Sequence, residues 1–179
     1  MQGLVRWPLC LAFLAAVLGA SSAQAGKAHE HGVGRMNLVQ DGANWAVDLE
    51  LPLDTLVGFE RPPRTPAERQ AAQAALARLR DPQALIRLEV PAPLSCTTAA
   101  VEVHAPVLEG QAAAPGGHAD ARVSITLQCP DSVEPQRVEL QAFTTFNRLK
   151  RLEVQAALKA GQRQFKLTPA NRVIHLRRP

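Results

Sequence analysis

The chain has 179 residues, 20 Lys plus Arg against 16 Asp plus Glu, and a pI of about 9.4. The cations are spread along it, the only small clusters being Arg148-Leu149-Lys150-Arg151 and Arg177-Arg178, and both flank predicted strands as solvated edges. With no Tyr and few aromatics there is no stacking platform for single strands, so this basic balance does not indicate nucleic-acid binding.

Residues 1–25 read as a secretory signal. Arg6 supplies the positive start, Leu9 to Leu18 is a short apolar run, and Ala23-Gln24-Ala25 puts small residues where a signal peptidase cuts. The run is too short to span a bilayer, which takes roughly 20 residues. Cys10 lies inside the run rather than after it, so neither a stable membrane anchor nor a lipoprotein anchor is expected. The mature part, residues 26–179, has about 154 residues, the size of one domain. The expectation is an exported protein, periplasmic in location. Removing Cys10 with the signal leaves Cys96 and Cys129, an even number in an oxidising compartment. A disulfide between them is expected. The alternative, that the thiols ligate zinc, has no CxxC partner on either side to support it.

The elements follow in order. Gly34 to Val39 and Ala43 to Leu51 predict a β-hairpin around Asp41-Gly42, as a type I′ turn. Trp45, Val47, Leu49 and Leu51 alternate with polar residues, so one face is buried. Pro52 ends the strand, and Leu53, Leu56, Val57 and Phe59 form an apolar turn. Thr65-Pro66-Ala67-Glu68 starts a helix with a capping box. Its stripe is Ala72, Ala75, Leu76 and Leu79, and Asp81-Pro82 stops it. Leu85 to Val90 is a short strand. Cys96 to His104 is another, with Cys96 out of phase in a way that a bulge or a late strand start would explain. Residues 105–120 form a mobile loop rich in Ala, Pro and Gly. Ala121 to Cys129 alternates cleanly. Val138 to Ala142 continues in β style, Phe143 to Leu149 holds a helical turn, and Leu152 to Leu158 with Phe165 to Leu167 makes a hairpin around Ala160-Gly161. Val173 to Leu176 is the last strand. The fold class is α+β: a single antiparallel-rich β domain of seven to nine strands, one main α-helix and one disulfide.

The residues that could carry chemistry are histidines. His29 and His31 are two apart, and in an extended segment both imidazoles lie on one face while Glu30 points away. His118 and Asp120 form a second i, i+2 pair at the entry of a strand. Together they offer three imidazole nitrogens and a carboxylate, a donor set that zinc accepts at about 2.0–2.2 Å. His104 falls on the polar phase of its strand, either as a rim ligand or, by preference, a surface residue. His175 is left out. Signs of an enzyme are poor. There is no Gly-x-Ser-x-Gly, no His-Glu-x-x-His and no free cysteine nucleophile, and Glu30, the one base beside the first pair, faces away from it. A chain trimmed to begin at Lys27 would put His29 third from a free amine, a geometry that suits Cu(II).

The chain resembles the ZrgA-like periplasmic zinc-binding proteins over nearly all of its mature part. The likeness is carried by the signal followed by His29-Glu30-His31-Gly32, and by Leu53 to Glu60 ending in Gly58-Phe59-Glu60. The Ala-rich helix from Thr65, the two cysteines, His118-x-Asp120 before a strand and the closing Leu167-Thr168-Pro169 complete it. The resemblance implies a zinc-binding protein that assists a high-affinity zinc ABC importer, with the importer's periplasmic solute-binding component as the partner. One departure is visible. Family members often carry a loop dense in His, Asp and Glu between the cysteines, whereas this loop is short and His118 is its only histidine. About one zinc per chain is therefore expected, with affinity falling below roughly pH 6 as imidazoles protonate. The competing reading is an exported protein-interaction module without a metal role, docking through the hairpin edge or the Phe59 region.

Overall fold

Period-two alternation builds most of the molecule. The computed structural model describes residues 30–113, 119–131 and 134–176. The signal expected over residues 1–25 lies outside them. In chain order the elements are β1 (Val33–Asp41), β2 (Asn44–Pro52), α1 (Leu53–Val57), α2 (Pro66–Leu79), β3 (Arg87–Glu89), β4 (Thr97–His104), β5 (Asp120–Gln128), β6 (Arg137–Glu139), α3 (Ala142–Thr145), β7 (Arg151–Leu158), β8 (Gly161–Leu167) and β9 (Val173–His175). A 3-10 turn at Pro82–Ala84 precedes β3. The expected α+β class, with one main helix and one disulfide, is what is seen.

Six strands form one sheet in the order β4-β5-β2-β1-β7-β8, and β3-β6-β9 form a second. All pairings are antiparallel except β1 with β7, where Val33 stands beside Arg151 and Val39 beside Ala157. Inward residues of the large sheet are buried: Met36 and Leu38 from β1, Trp45 to Leu51 at every second position of β2, Val123, Ile125 and Leu127 from β5, Leu152 and Val154 from β7. They join one apolar cluster with Ala72, Ala75, Leu76 and Leu79 of α2 and with Leu88, Val138 and Ile174 of the small sheet. α2 starts as its sequence dictates. Thr65 accepts from the Glu68 amide, Glu68 reaches back to the Thr65 amide, and Pro66 takes the first turn. Gly34 is buried where β1 runs between β2 and β7. A Cβ there would stand 2.6 Å from Leu51 Cδ2 and 2.9 Å from Leu152 Cδ1, so no larger residue fits without moving the core.

The outward face is a charged grid. In one cross-strand row stand His104, Arg122, Glu50, Arg35, Glu153 and Lys166, set by the register of all six strands. Glu50 pairs with both Arg35 and Arg122 at 3.2 Å. These are part-exposed pairs, each worth little to stability.

Three local expectations are corrected. The hairpin register pairs Asp41 with Asn44, so the two loop residues are Gly42-Ala43 and not Asp41-Gly42. Only Gly42 has positive φ, which is the pattern of a II′ turn rather than I′. Residues 30–33 are not extended: the Val33 amide bonds to the Glu30 carbonyl at 3.0 Å, closing a turn through His31-Gly32. Ala105, Val107 and Leu108, expected within a loop, are buried in a hydrogen-bonded turn. Both explanations offered for the phase of Cys96 are met, since β4 begins only at Thr97 and the β4–β5 register shifts between Thr98 and Ala100. Cys96 and Cys129 are joined at 2.01 Å and so hold no free thiolate for zinc.

Candidate metal centre

One end of the large sheet gathers the polar groups of interest. The start of β1, the end of β2, the start of β5 and the start of β7 all lie there, because Val33 stands beside Arg151 and Pro52 opposite Asp120. His31 sits in the turn just before β1, and Asp54 follows β2 in the first turn of α1. Carrying the β1–β2 register four residues beyond the Arg35–Glu50 pair brings position 31 opposite position 54. The imidazole Nδ1 is 3.6 Å from Asp54 Oδ2, and Nε2 is 3.9 Å from Glu60 Oε1. His31 is two-thirds exposed, whereas the two carboxylate side chains are only 18% and 14% exposed.

Glu60 reaches this position because α1 is a single turn. Gly58 ends it in the left-handed region at φ 86°, and its amide bonds to the Asp54 carbonyl at 2.9 Å. The reversal returns the chain across the helix end. It is this left-handed conformation that favours glycine; a Cβ there would also lie 2.7 Å from Arg148 Nη1, which the flexible arginine could move to accommodate. The segment after Arg148 braces the other side. The amides of Lys150 and Arg151 bond to the Gly32 carbonyl, and Arg151 pairs with Glu30 at 2.6 Å. His31 is thereby held between an anchored Glu30 and an anchored Gly32.

Among the described residues, His31, Asp54 and Glu60 form a group whose ligand atoms all lie within 4.8 Å of one another. A tetrahedral zinc site spaces its nitrogen and oxygen donors about 3.3–3.5 Å apart, given bond lengths near 2.0–2.1 Å. Small side-chain rotations would close this group around an ion. One imidazole and two carboxylates also provide two negative charges to neutralise a divalent cation.

The sequence candidates fare differently. His31 is in the group. His29 and His118 lie outside the described residues. Asp120 is half-buried at the first position of β5, at the same end of the sheet. His104 is exposed at the end of β4 and faces outward opposite Arg122. Three strand spacings, roughly 14 Å, separate β4 from β1, so His104 stands apart from the group. Asp54 and Glu60 were not among the sequence candidates. A broad concavity lies elsewhere, on the outward face among Arg35, Asp48, Glu50, Arg122, Glu153 and Lys166. It is an open trough in which Glu50 pairs with Arg35 and Arg122 and Asp48 accepts from the Ser124 hydroxyl.

A model of a family described as ZrgA family zinc uptake protein matches residues 28–176. The chain belongs to the ZrgA family. No protein of curated function matches it. The family match spans His31, Asp54, Glu60, both cysteines and Asp120, and membership ties this ZrgA protein to zinc uptake. Among the described residues, no helix is long and apolar enough to cross a membrane.

One neighbouring group has a shifted titration. The Glu68 carboxyl is pulled from its ordinary value of 4.5 down to about 2, first by the Arg61 guanidinium that donates to it, then by the Arg64 and Thr65 amides. Its folded value lies below its unfolded one. Its contribution to stability is therefore complete above about pH 4.5 and is lost as pH falls through about 2. An NMR titration of this carboxyl is expected to give a midpoint near 2 that rises in Arg61→Ala. A midpoint in the ordinary carboxylate range would contradict the contact.

Proposed function

We propose that this ZrgA protein is a non-enzymatic, exported zinc-binding accessory that works in the periplasm. It takes up one zinc ion and passes it to the solute-binding component of a zinc ABC importer. The ion is held by His31, Asp54 and Glu60, with Asp120 at the same end of the sheet as a further donor and with His29 and His118 proposed from sequence alone, each two residues from one of these. The reading rests above all on one observation: three donors of the type zinc accepts lie within 4.8 Å of one another, inside the stretch matched to a zinc uptake family. The exposure of His31 supports transfer rather than permanent storage, since a ligand on the surface side of the ion can be exchanged for a partner's. The disulfide agrees with an oxidising compartment.

Calorimetry on a His31→Ala, His118→Ala double variant tests the assignment. The tight site is expected to disappear. In the unmodified protein, zinc affinity should fall below roughly pH 6, because an imidazole must be neutral to ligate. Unchanged binding by the double variant would refute the ligand set.

A further inference from the structure

Glu60 is held by more than its own contacts. Its two chain neighbours, Phe59 and Arg61, meet each other across it, the Arg61 guanidinium lying 5.2 Å from the Phe59 ring centroid. Both side chains therefore lie to one side of the backbone, and Glu60 is directed to the other, toward His31. Arg61 is in turn tied to α2 by a fork. Its Nη2 donates to Glu68 Oε1 at 2.7 Å and its Nη1 to Glu68 Oε2 at 3.1 Å. The same Oε2 accepts from the amides of Arg64 and Thr65 at 2.7 and 3.1 Å. The loop is thus tied at Arg61, Arg64 and Thr65 to one carboxylate on the first turn of α2. That turn is rigid because of its capping box and its proline.

We propose that Arg61 and Glu68 are positioning residues for the metal centre: they touch no ion themselves, but they set where the Glu60 carboxylate stands. This rests on the reading of His31, Asp54 and Glu60 as the zinc site. A planar guanidinium suits the task because its bidentate geometry fixes direction as well as distance, which an ammonium does not. Outer-shell partners of this kind typically alter metal affinity 10–100-fold when removed.

The test is a zinc titration of the full mature chain, using zinc alone as the probe, in wild type, Arg61→Ala, Arg61→Lys, Glu60→Gln and the Arg61→Ala, Glu60→Gln pair. Arg61→Ala is the clean variant because it leaves the α2 capping box intact; Glu68→Ala removes the cap as well. Arg61→Ala is expected to weaken zinc about tenfold while the chain stays folded by circular dichroism. Arg61→Lys should fall between it and wild type. In the Glu60→Gln background, Arg61→Ala should cause no further loss, because the group it positions is already gone. Affinity within twofold of wild type in Arg61→Ala, with Glu60→Gln weakened, would overturn the positioning role alone. Equal losses from Arg61→Ala in both backgrounds would overturn it too, by showing a general effect on the fold. Undiminished binding in Glu60→Gln would remove the site reading and the positioning role with it.

Discussion

Zinc titrated into an Asp54→Asn, Glu60→Gln variant is expected to give no high-affinity isotherm, with affinity reduced at least about 100-fold. Removing an outer-shell partner already costs 10–100-fold, and these two changes remove the anionic donors themselves. The two substitutions keep shape while deleting charge. The side chains are 18% and 14% exposed, and an asparagine at 54 can still accept from the Thr55 hydroxyl, so the metal-free chain is expected to stay folded. The readout that separates binding from folding is the zinc-dependent thermal shift. A ligand at 100 times its Kd stabilises the native state by about 2.7 kcal/mol, which should raise the wild-type melting temperature and leave the variant's unchanged. A variant that still gains the full shift would show that the carboxylates are not ligands.

Removing the disulfide should cost the most stability of any single feature. Cys96 and Cys129 are 33 residues apart, and closing a loop of that length is worth about 3–4 kcal/mol in the chain-entropy account. The Cys96→Ala, Cys129→Ala variant is expected to lose that amount in denaturant unfolding. Its zinc affinity should be unchanged while it remains folded. The bridge joins the start of β4 to the end of β5, the opposite end of the strands from His31, Asp54 and Glu60. Loss of zinc at temperatures where the variant is still folded would mean that the two ends are coupled.

Much of this architecture was legible in the residues, and the exceptions have physical causes. The helix at Thr65 and its stripe, the alternation of β2 and β5 and the disulfide follow from local rules that tertiary context did not override. The parallel β1–β7 pairing was not legible, because no local pattern sets the register of strands more than a hundred residues apart. The strands of the small sheet are three residues each, too short for alternation to mark their ends.

The metal centre was half legible. His31 was visible as one of a pair, though the segment is a turn through Gly32 and not the extended strand in which that pair would share a face. Asp54 turned on the identity of the hairpin loop. With Asp41-Gly42 as the loop, position 31 falls opposite Pro52; with Gly42-Ala43, as observed, it falls opposite Asp54. A one-residue error in the turn moves the partner by two and hides a ligand. Glu60 had a weaker signal still, an acidic residue two positions after a glycine that ends a one-turn helix. Only the left-handed Gly58 sends the chain back far enough to bring it to His31.

Zinc-soaked crystals of the mature chain, measured on both sides of the zinc absorption edge, bear most directly on whether these side chains form the binding site. An anomalous peak within bonding distance of His31, Asp54 and Glu60 is the expected result. Ions seated only elsewhere, on His104 or along the charged outer face, with the three side chains unmoved, would contradict it.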